Sequence, residues 1–125
     1  MTTTDRLVMI VDDQPELLRL FSRGLEGAGY RVATAETAEA AMQIIDAEPP
    51  DAMLIDLKMP FINGMGMLYR VRKTYPRLPV AIITGMQNLD KDTLQEMTRL
   101  DAAVHFKPLS IAQVCEIVDG LVAGK

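Results

Sequence analysis

The stretch that decides the fold is a short apolar run that leads to a carboxylate and then to a proline: Ala52, Met53, Leu54, Ile55, Asp56, Leu57, Lys58, Met59 and Pro60. An apolar run of this length, with Pro50 before it and Pro60 after it, predicts a strand buried on both faces of a parallel sheet. Asp56 then lies at the carboxyl end of that strand, where open α/β sheets bind their ligands. Because a buried carboxylate is costly without a partner, Asp56 is a candidate functional residue. The alternative is a carboxylate that caps a neighbouring loop.

Length and composition indicate one globular domain. The chain has 125 residues, and 49% of them are hydrophobic, enough to form a core. The net charge of -4 argues against nucleic-acid binding by this domain. Cys115 is the one cysteine, which excludes an intramolecular disulfide and a cysteine-cluster zinc site. The sequence shows neither a signal peptide nor a membrane-spanning run, so we expect a cytoplasmic protein without membrane binding.

A strand followed by a helix occurs five times along the chain. The predicted strands cover residues 6–11, 30–35, 52–56, 79–84 and 102–106. The helices that follow them are predicted to begin near Pro15, Ala38, Met65, Asn88 and Ile111. This order predicts an α/β fold in which a parallel sheet has helices on both faces. We expect residues 1–125 to form a single domain, with no output domain in this chain.

Local signals mark several of the helix ends. Thr37 is predicted to be an N-cap, and residues 110–113 match the capping-box pattern. Residues 61–64 are predicted to form a turn because the Asn-Gly pair within them permits positive φ. The helix over 88–100 is weakly patterned, and its expected core contacts are Leu94, Met97 and Leu100.

Polar residues end four of the five predicted strands. Asp12 and Asp13 follow the first strand, Asp56 ends the third, Thr84 ends the fourth and Lys107 follows the fifth. Because the strands are parallel, these ends should lie along one edge of the sheet. Two carboxylates about 4 Å apart repel by roughly 4 kcal/mol at an effective dielectric of about 20. A hard divalent cation removes that cost, and an all-oxygen cluster suits Mg²⁺.

A magnesium site of this kind can receive a phosphoryl group. Asp56 is the candidate nucleophile, which would form an aspartyl phosphate. Thr84 and Lys107 are candidates for holding the phosphoryl oxygens as charge develops during transfer. The alternatives are that the two adjacent aspartates cap the first helix, that Thr84 is a turn residue and that Lys107 is a solvated loop cation.

The set of strand-end residues resembles the receiver domain of two-component response regulators. The resemblance covers nearly the whole chain and rests on Asp12, Asp13, Asp56, Met59, Pro60, Gly64, Thr84, Gly85, Lys107 and Pro108. It implies a flavodoxin-like (βα)5 fold whose strands are ordered 2-1-3-4-5. It also implies a regulatory phosphoacceptor rather than an enzyme, with self-phosphotransfer and slow autodephosphorylation as its chemistry.

The resemblance assigns a role to each site residue. Mg²⁺ would be bound by Asp12, Asp13, Asp56 and the backbone carbonyl of Lys58, with Asp12 acting largely through water. The amide of Gly85 would donate to the phosphoryl group. Asp56 would receive that group from a sensor histidine kinase or a histidine phosphotransfer protein. The switch at Thr84 would alter the surface formed by the fourth helix, fifth strand and fifth helix. This change would alter the binding of an output protein or domain. Homodimerisation is a further possibility.

Val104 departs from the receiver pattern. Receivers usually carry Tyr or Phe three residues before the lysine, as the aromatic part of the switch region, and this chain has Val104 there. The alternative function is therefore a receiver-fold docking or dimerisation module that works without phosphorylation. An aspartyl-nucleophile phosphatase is disfavoured because Lys58 stands where such enzymes place a second aspartate.

Two further residues are interpreted as structural. His105, the one histidine, has no sequence partner for metal binding, so we expect a half-exposed strand residue. Cys115 lies on the apolar stripe of the last helix and is expected to be a buried small hydrophobe.

Overall fold

The computed structural model describes residues 6–56, 61–85 and 91–123, with residues 61–64 described by their backbone. Five strands alternate with five helices along the chain. The strands are β1 (Leu7–Val11), β2 (Arg31–Ala35), β3 (Ala52–Asp56), β4 (Val80–Thr84) and β5 (Ala102–Phe106). The helices are α1 (Pro15–Gly27), α2 (Ala38–Ala47), α3 (Phe61–Thr74), α4 (Lys91–Arg99) and α5 (Ile111–Ala123).

The strands form one parallel sheet in the order β2-β1-β3-β4-β5. This order confirms the flavodoxin-like topology that the resemblance implied. The three central strands β1, β3 and β4 are buried at every position. Their side chains meet apolar neighbours on both faces, which explains why they appear in the sequence as continuous apolar runs rather than as alternating patterns.

Each face of the sheet carries its own hydrophobic core. One core contains buried residues of α2, α3 and α4, and the other contains buried residues of α1 and α5. Alternate residues of the strands enter opposite cores, as with Met9 and Ile10 of β1. None of the helices in the described part of the chain is both long and apolar enough to span a membrane.

The predicted caps are confirmed. The Thr37 hydroxyl accepts a hydrogen bond from the Ala40 amide at 3.1 Å. Ser110 and Gln113 form the reciprocal capping box, with distances of 2.8 Å from the Ser110 amide to the Gln113 side chain and 3.1 Å from the Gln113 amide to the Ser110 hydroxyl.

The predicted turn at 61–64 is wrong, because α3 already begins at Phe61. The first residues of a helix have amides without intrahelical partners, so an Asn-Gly pair there sacrifices little hydrogen bonding. The cost of a glycine in a helix is about 1 kcal/mol. Burial of Met67, Leu68 and Val71 on the same helix outweighs that cost.

Arg72 connects the end of α3 to the chain segments that follow α3 and α4. Its guanidinium donates to the carbonyl of Leu78 at 2.6 Å and to that of Leu100 at 2.8 Å. Longer contacts reach the carbonyls of Tyr75, Pro76 and Asp101. Asp101 follows α4 with a φ of 58°, in the left-handed region that ends many helices. Arg72 therefore links three chain segments through backbone acceptors.

We expect Arg72→Met to lower the free energy of unfolding by about 2–3 kcal/mol, since charged hydrogen bonds contribute about 1.5–3 kcal/mol and three partly buried carbonyls lose this donor. Urea unfolding measures the change. The control is Arg70→Met on the exposed side of the same helix, which should change stability by about 0.5 kcal/mol or less. Equal losses in the two variants would contradict the structural role of Arg72.

Candidate functional site

The carboxyl ends of the four strands β1, β3, β4 and β5 place the predicted site residues on one edge of the sheet. Asp12 directly follows β1, and Asp56 and Thr84 are the last residues of β3 and β4. Lys107 directly follows β5, whose last residue Phe106 lies opposite Thr84 in the strand register. The parallel register therefore brings together residues that are up to 95 positions apart, Asp12 and Lys107.

Three carboxylates meet at this edge. Oxygen atoms of Asp12, Asp13 and Asp56 lie within 4.8 Å of one another. Asp12 is 2% exposed and Asp56 is 3% exposed, whereas Asp13 is exposed to solvent. Two buried carboxylates with a third at the surface form an all-oxygen cluster that opens to solvent on one side. This donor set fits Mg²⁺, which prefers carboxylates and retains several of its waters.

Lys107 neutralises part of this negative charge. Its ammonium group lies 3.1 Å from Asp56 Oδ2 and 3.7 Å from Asp12 Oδ2. The sequence predicted that Lys107 would lie at the same edge of the sheet as Asp56. The contact with Asp12 was not predicted, because it depends on how the long side chain crosses the strand ends.

Asp12 has an environment that disfavours its ionised form. Burial, together with the nearby Asp56 carboxylate, raises the pKa of Asp12 to about 6. Asp12 and Asp56 line a cavity of about 10 Å³ whose other lining residues are apolar and include Phe21 and Leu54. One hydrogen bond opposes the shift, donated by the Gln14 amide to Asp12 Oδ1 at 2.9 Å. Asp12 thus supports the loop before α1 and belongs to the acidic cluster at the same time.

Thr84 is completely buried at 0% exposure. Its backbone carbonyl accepts a hydrogen bond from the Lys107 amide at 2.8 Å, which joins the ends of β4 and β5. Gly85 follows at the surface, and a side chain added there would meet none of the described residues within 4 Å. The backbone at Gly85 is therefore open to a molecule that approaches the strand ends.

Val104 is half-buried and packs against the core on the α4 side of the sheet. Phe106 is 46% exposed and belongs to the same strand, two residues further along.

The carbonyl of Lys58, predicted to bind the metal, lies outside the described residues. His105 is half-buried, as expected. Cys115 was expected to be buried but is half-buried, and it packs at the margin of the core formed with α1 and α5.

Comparison with known proteins places this geometry in a family. Residues 8–119 match the family described as the response regulator receiver domain. Sporulation initiation phosphotransferase F of Bacillus subtilis is 32% identical over 112 residues, which cover 89% of this chain and 89% of that protein. The DNA-binding transcriptional regulator NtrC of Escherichia coli is 32% identical over 84 residues, which cover 67% of this chain and 18% of that protein. The chain thus spans a small part of the NtrC relatives that it matches.

Solved structures show the same fold. A CheY-like receiver domain from Methanospirillum hungatei superposes with a TM-score of 0.88 at 24% identity, covering 97% of this chain and 96% of that one. NtrX from Brucella abortus superposes with a TM-score of 0.84 at 23% identity, covering 97% of this chain and 27% of that one. The family match covers most of the sequence and agrees with the sheet order, and this chain therefore belongs to the response regulator receiver domain family.

Proposed function

We propose that this chain is a phospho-accepting switch in which Asp56 takes a phosphoryl group from a phosphohistidine donor. The observation that carries the proposal is the placement of the Asp56 carboxylate 3.1 Å from the Lys107 ammonium, within the cluster formed with Asp12 and Asp13. A carboxylate held this way is paired and yet faces the solvent-open edge of the sheet. Such a group can act as a nucleophile.

The proposed step is an in-line displacement at phosphorus. A carboxylate oxygen of Asp56 forms the new oxygen–phosphorus bond, and the nitrogen–phosphorus bond of the donor breaks. The electron pair of that bond stays on the imidazole nitrogen of the donor, which then takes up a proton. The product is an acyl phosphate on Asp56, and water later hydrolyses it slowly.

The metal site would be formed by Asp12, Asp13, Asp56 and the backbone carbonyl of Lys58. Bound Mg²⁺ would supply charge neutralisation for the phosphoryl oxygens. The chain itself holds the nucleophile in place, because Asp56 is fixed at the end of a fully buried strand.

Lys107 and Thr84 would convert the chemical change into a conformational one. The phosphoryl group adds charge and acceptor oxygens at Asp56, and it offers Lys107 a new partner. The Thr84 hydroxyl would donate to the phosphoryl group, as would the Gly85 amide. Since the Lys107 amide donates a hydrogen bond to the Thr84 carbonyl, a shift at the end of β4 would be transmitted to the end of β5. The affected surface would be that of α4, β5 and α5. Thr84 at the end of β4 and Val104 on β5 would form the switch region.

The proposed partners follow from this chemistry. The donor would be a sensor histidine kinase or a histidine phosphotransfer protein, and the receiver of the signal would be an output protein or domain. Relatives named a phosphotransferase and a DNA-binding transcriptional regulator support a role in signal transfer. The chain would act as a regulatory domain, without turnover of small phosphoesters, and without nucleic-acid contacts of its own.

A second candidate function is a docking or dimerisation module that does not use phosphorylation. Val104 favours it, because its branched, half-buried side chain replaces an aromatic ring that could change position. The complete acidic cluster with Lys107 opposes it. A phosphorylation assay separates the two functions.

We expect incubation with acetyl phosphate and Mg²⁺ to add one phosphoryl group to the wild-type chain and none to Asp56→Asn. The amide of asparagine lacks the nucleophilic carboxylate oxygen, so the loss should be complete. Intact-mass spectrometry detects the adduct, and peptide mapping locates it.

The control for this assay is Asp101→Asn, an exposed acid directly before β5 and so at the opposite end of that strand from Lys107, which should be labelled like the wild type. Labelling of the Asp56→Asn chain on the same peptide would contradict the assignment of the phosphoacceptor. Absence of an adduct on the wild type with both acetyl phosphate and a phosphorylated histidine kinase would favour the docking module.

We expect Lys107→Ala to leave Asp56 able to accept a phosphoryl group while weakening the conformational response, because the contact that joins the phosphoryl group to β5 is lost. Amide chemical shifts of β5 and α5 before and after phosphorylation measure the response. Lys73→Ala, an exposed lysine on α3, is the control and should retain the full response. An undiminished response in Lys107→Ala would refute its coupling role.

A further inference from the structure

α4 is held by less apolar burial than the other helices whose side chains are described throughout. Met97 is its one buried residue, whereas α1, α2 and α5 each bury three. The stabilisation of a packed helix increases with the apolar area that it buries, so the hydrophobic effect contributes less to the placement of α4 than to that of the other helices. Polar contacts at the helix surface therefore matter more for the position of α4 than for that of its neighbours.

A polar cluster joins α4 to α3. The Tyr69 hydroxyl on α3 donates a hydrogen bond to Glu96 Oε2 on α4. Glu96 also accepts from Arg99, with 2.9 Å between Arg99 Nε and Glu96 Oε1. The contact with Arg99 is the larger cause and the contact with Tyr69 the smaller one, and together they lower the pKa of Glu96 to about 2. The carboxylate is therefore ionised at neutral pH. Tyr69 is 45% exposed, which places the cluster at the surface rather than in the core.

The two ends of α4 are attached differently. Beyond its carboxyl end, the carbonyls of Leu100 and Asp101 both accept from Arg72 of α3. Its first residue, Lys91, comes seven positions after Thr84 in the sequence. In the proposed function, a displacement at Thr84 would reach α4 from its amino end, whereas the Arg72 hydrogen bonds attach the chain beyond its carboxyl end to α3. Between the two ends of α4, the hydrogen bond from Tyr69 to Glu96 opposes rotation of α4 relative to α3.

We propose that the Tyr69–Glu96 hydrogen bond is a latch that holds α4 on α3 in the unphosphorylated chain and that makes the phosphorylated conformation less accessible. The regulatory half of this inference rests on the proposed function. A contact made in one conformation and lost in the other shifts the equilibrium between them by its own free energy. Removing the Tyr69 hydroxyl should therefore release α4 without changing any residue of the acidic cluster.

Amide hydrogen exchange of Tyr69→Phe tests the latch without phosphate or metal. An exposed hydrogen bond of ordinary strength corresponds to a roughly two- to tenfold change in an equilibrium. We expect exchange of the α4 amides to become roughly two- to tenfold faster, with α1 and α5 unchanged.

The matched control is Tyr75→Phe. Tyr75 directly follows α3, and its hydroxyl donates at 2.8 Å to Asp46 of α2 rather than to a residue of α4. The Tyr75→Phe variant should leave exchange of α4 at the wild-type rate. Wild-type exchange of α4 in Tyr69→Phe, or equal acceleration in both variants, would overturn the latch.

Binding of beryllofluoride with Mg²⁺, a stable analogue of the acyl phosphate, tests the regulatory half. Tyr69→Phe should bind the analogue more tightly than the wild type, by the same factor as its exchange is accelerated. Faster exchange with unchanged affinity would overturn the coupling while leaving the latch. If the wild type does not bind the analogue, the proposed function and the coupling both fail, and the exchange result alone decides the latch.

Discussion

The mutual repulsion of three carboxylates is the constraint on which the rest of the structure depends. Asp12, Asp13 and Asp56 bring oxygen atoms within 4.8 Å of one another, and two of these acids are buried. The sheet enforces the placement, because the buried strands β1 and β3 end at the same edge. Lys107 offsets part of the repulsion by contacting Asp56 and Asp12. The fold therefore concentrates negative charge at this edge of the sheet, and one lysine neutralises part of it.

Much of this arrangement could be predicted from the sequence. Apolar runs that end on Asp12, Asp56 and Thr84 are visible directly, and parallel topology then places their ends on one edge. The Ser110–Gln113 capping box and the Thr37 cap were also predictable, because each depends on residues within one turn of helix. The turn at 61–64 was wrong because local preference for a turn yielded to burial along α3.

Contacts between sequence-distant surface groups could not be predicted. Arg72 binds backbone carbonyls, which leave no mark in the sequence, and two of them lie beyond α4. The pairing of Tyr69 with Glu96 depends on how α3 and α4 lie beside each other on the sheet. The weak pattern of α4 was nevertheless informative, since it corresponds to a helix with Met97 as its one buried residue. With so little apolar burial, the polar contact between Tyr69 and Glu96 is a larger share of what attaches α4 to its neighbours.

Titration of the amide-labelled chain with Mg²⁺, followed by NMR, tests the central claim most directly. The account predicts saturable shifts from a single site, largest at Asp12, Asp13 and Asp56 and at the adjoining end of β4, with little change at Asp51 at the opposite end of β3. It also predicts that Asp56→Asn weakens the binding strongly. Shifts that do not saturate, or that centre on surface acids such as Glu39 and Glu116, would contradict a cation site built by the strand ends.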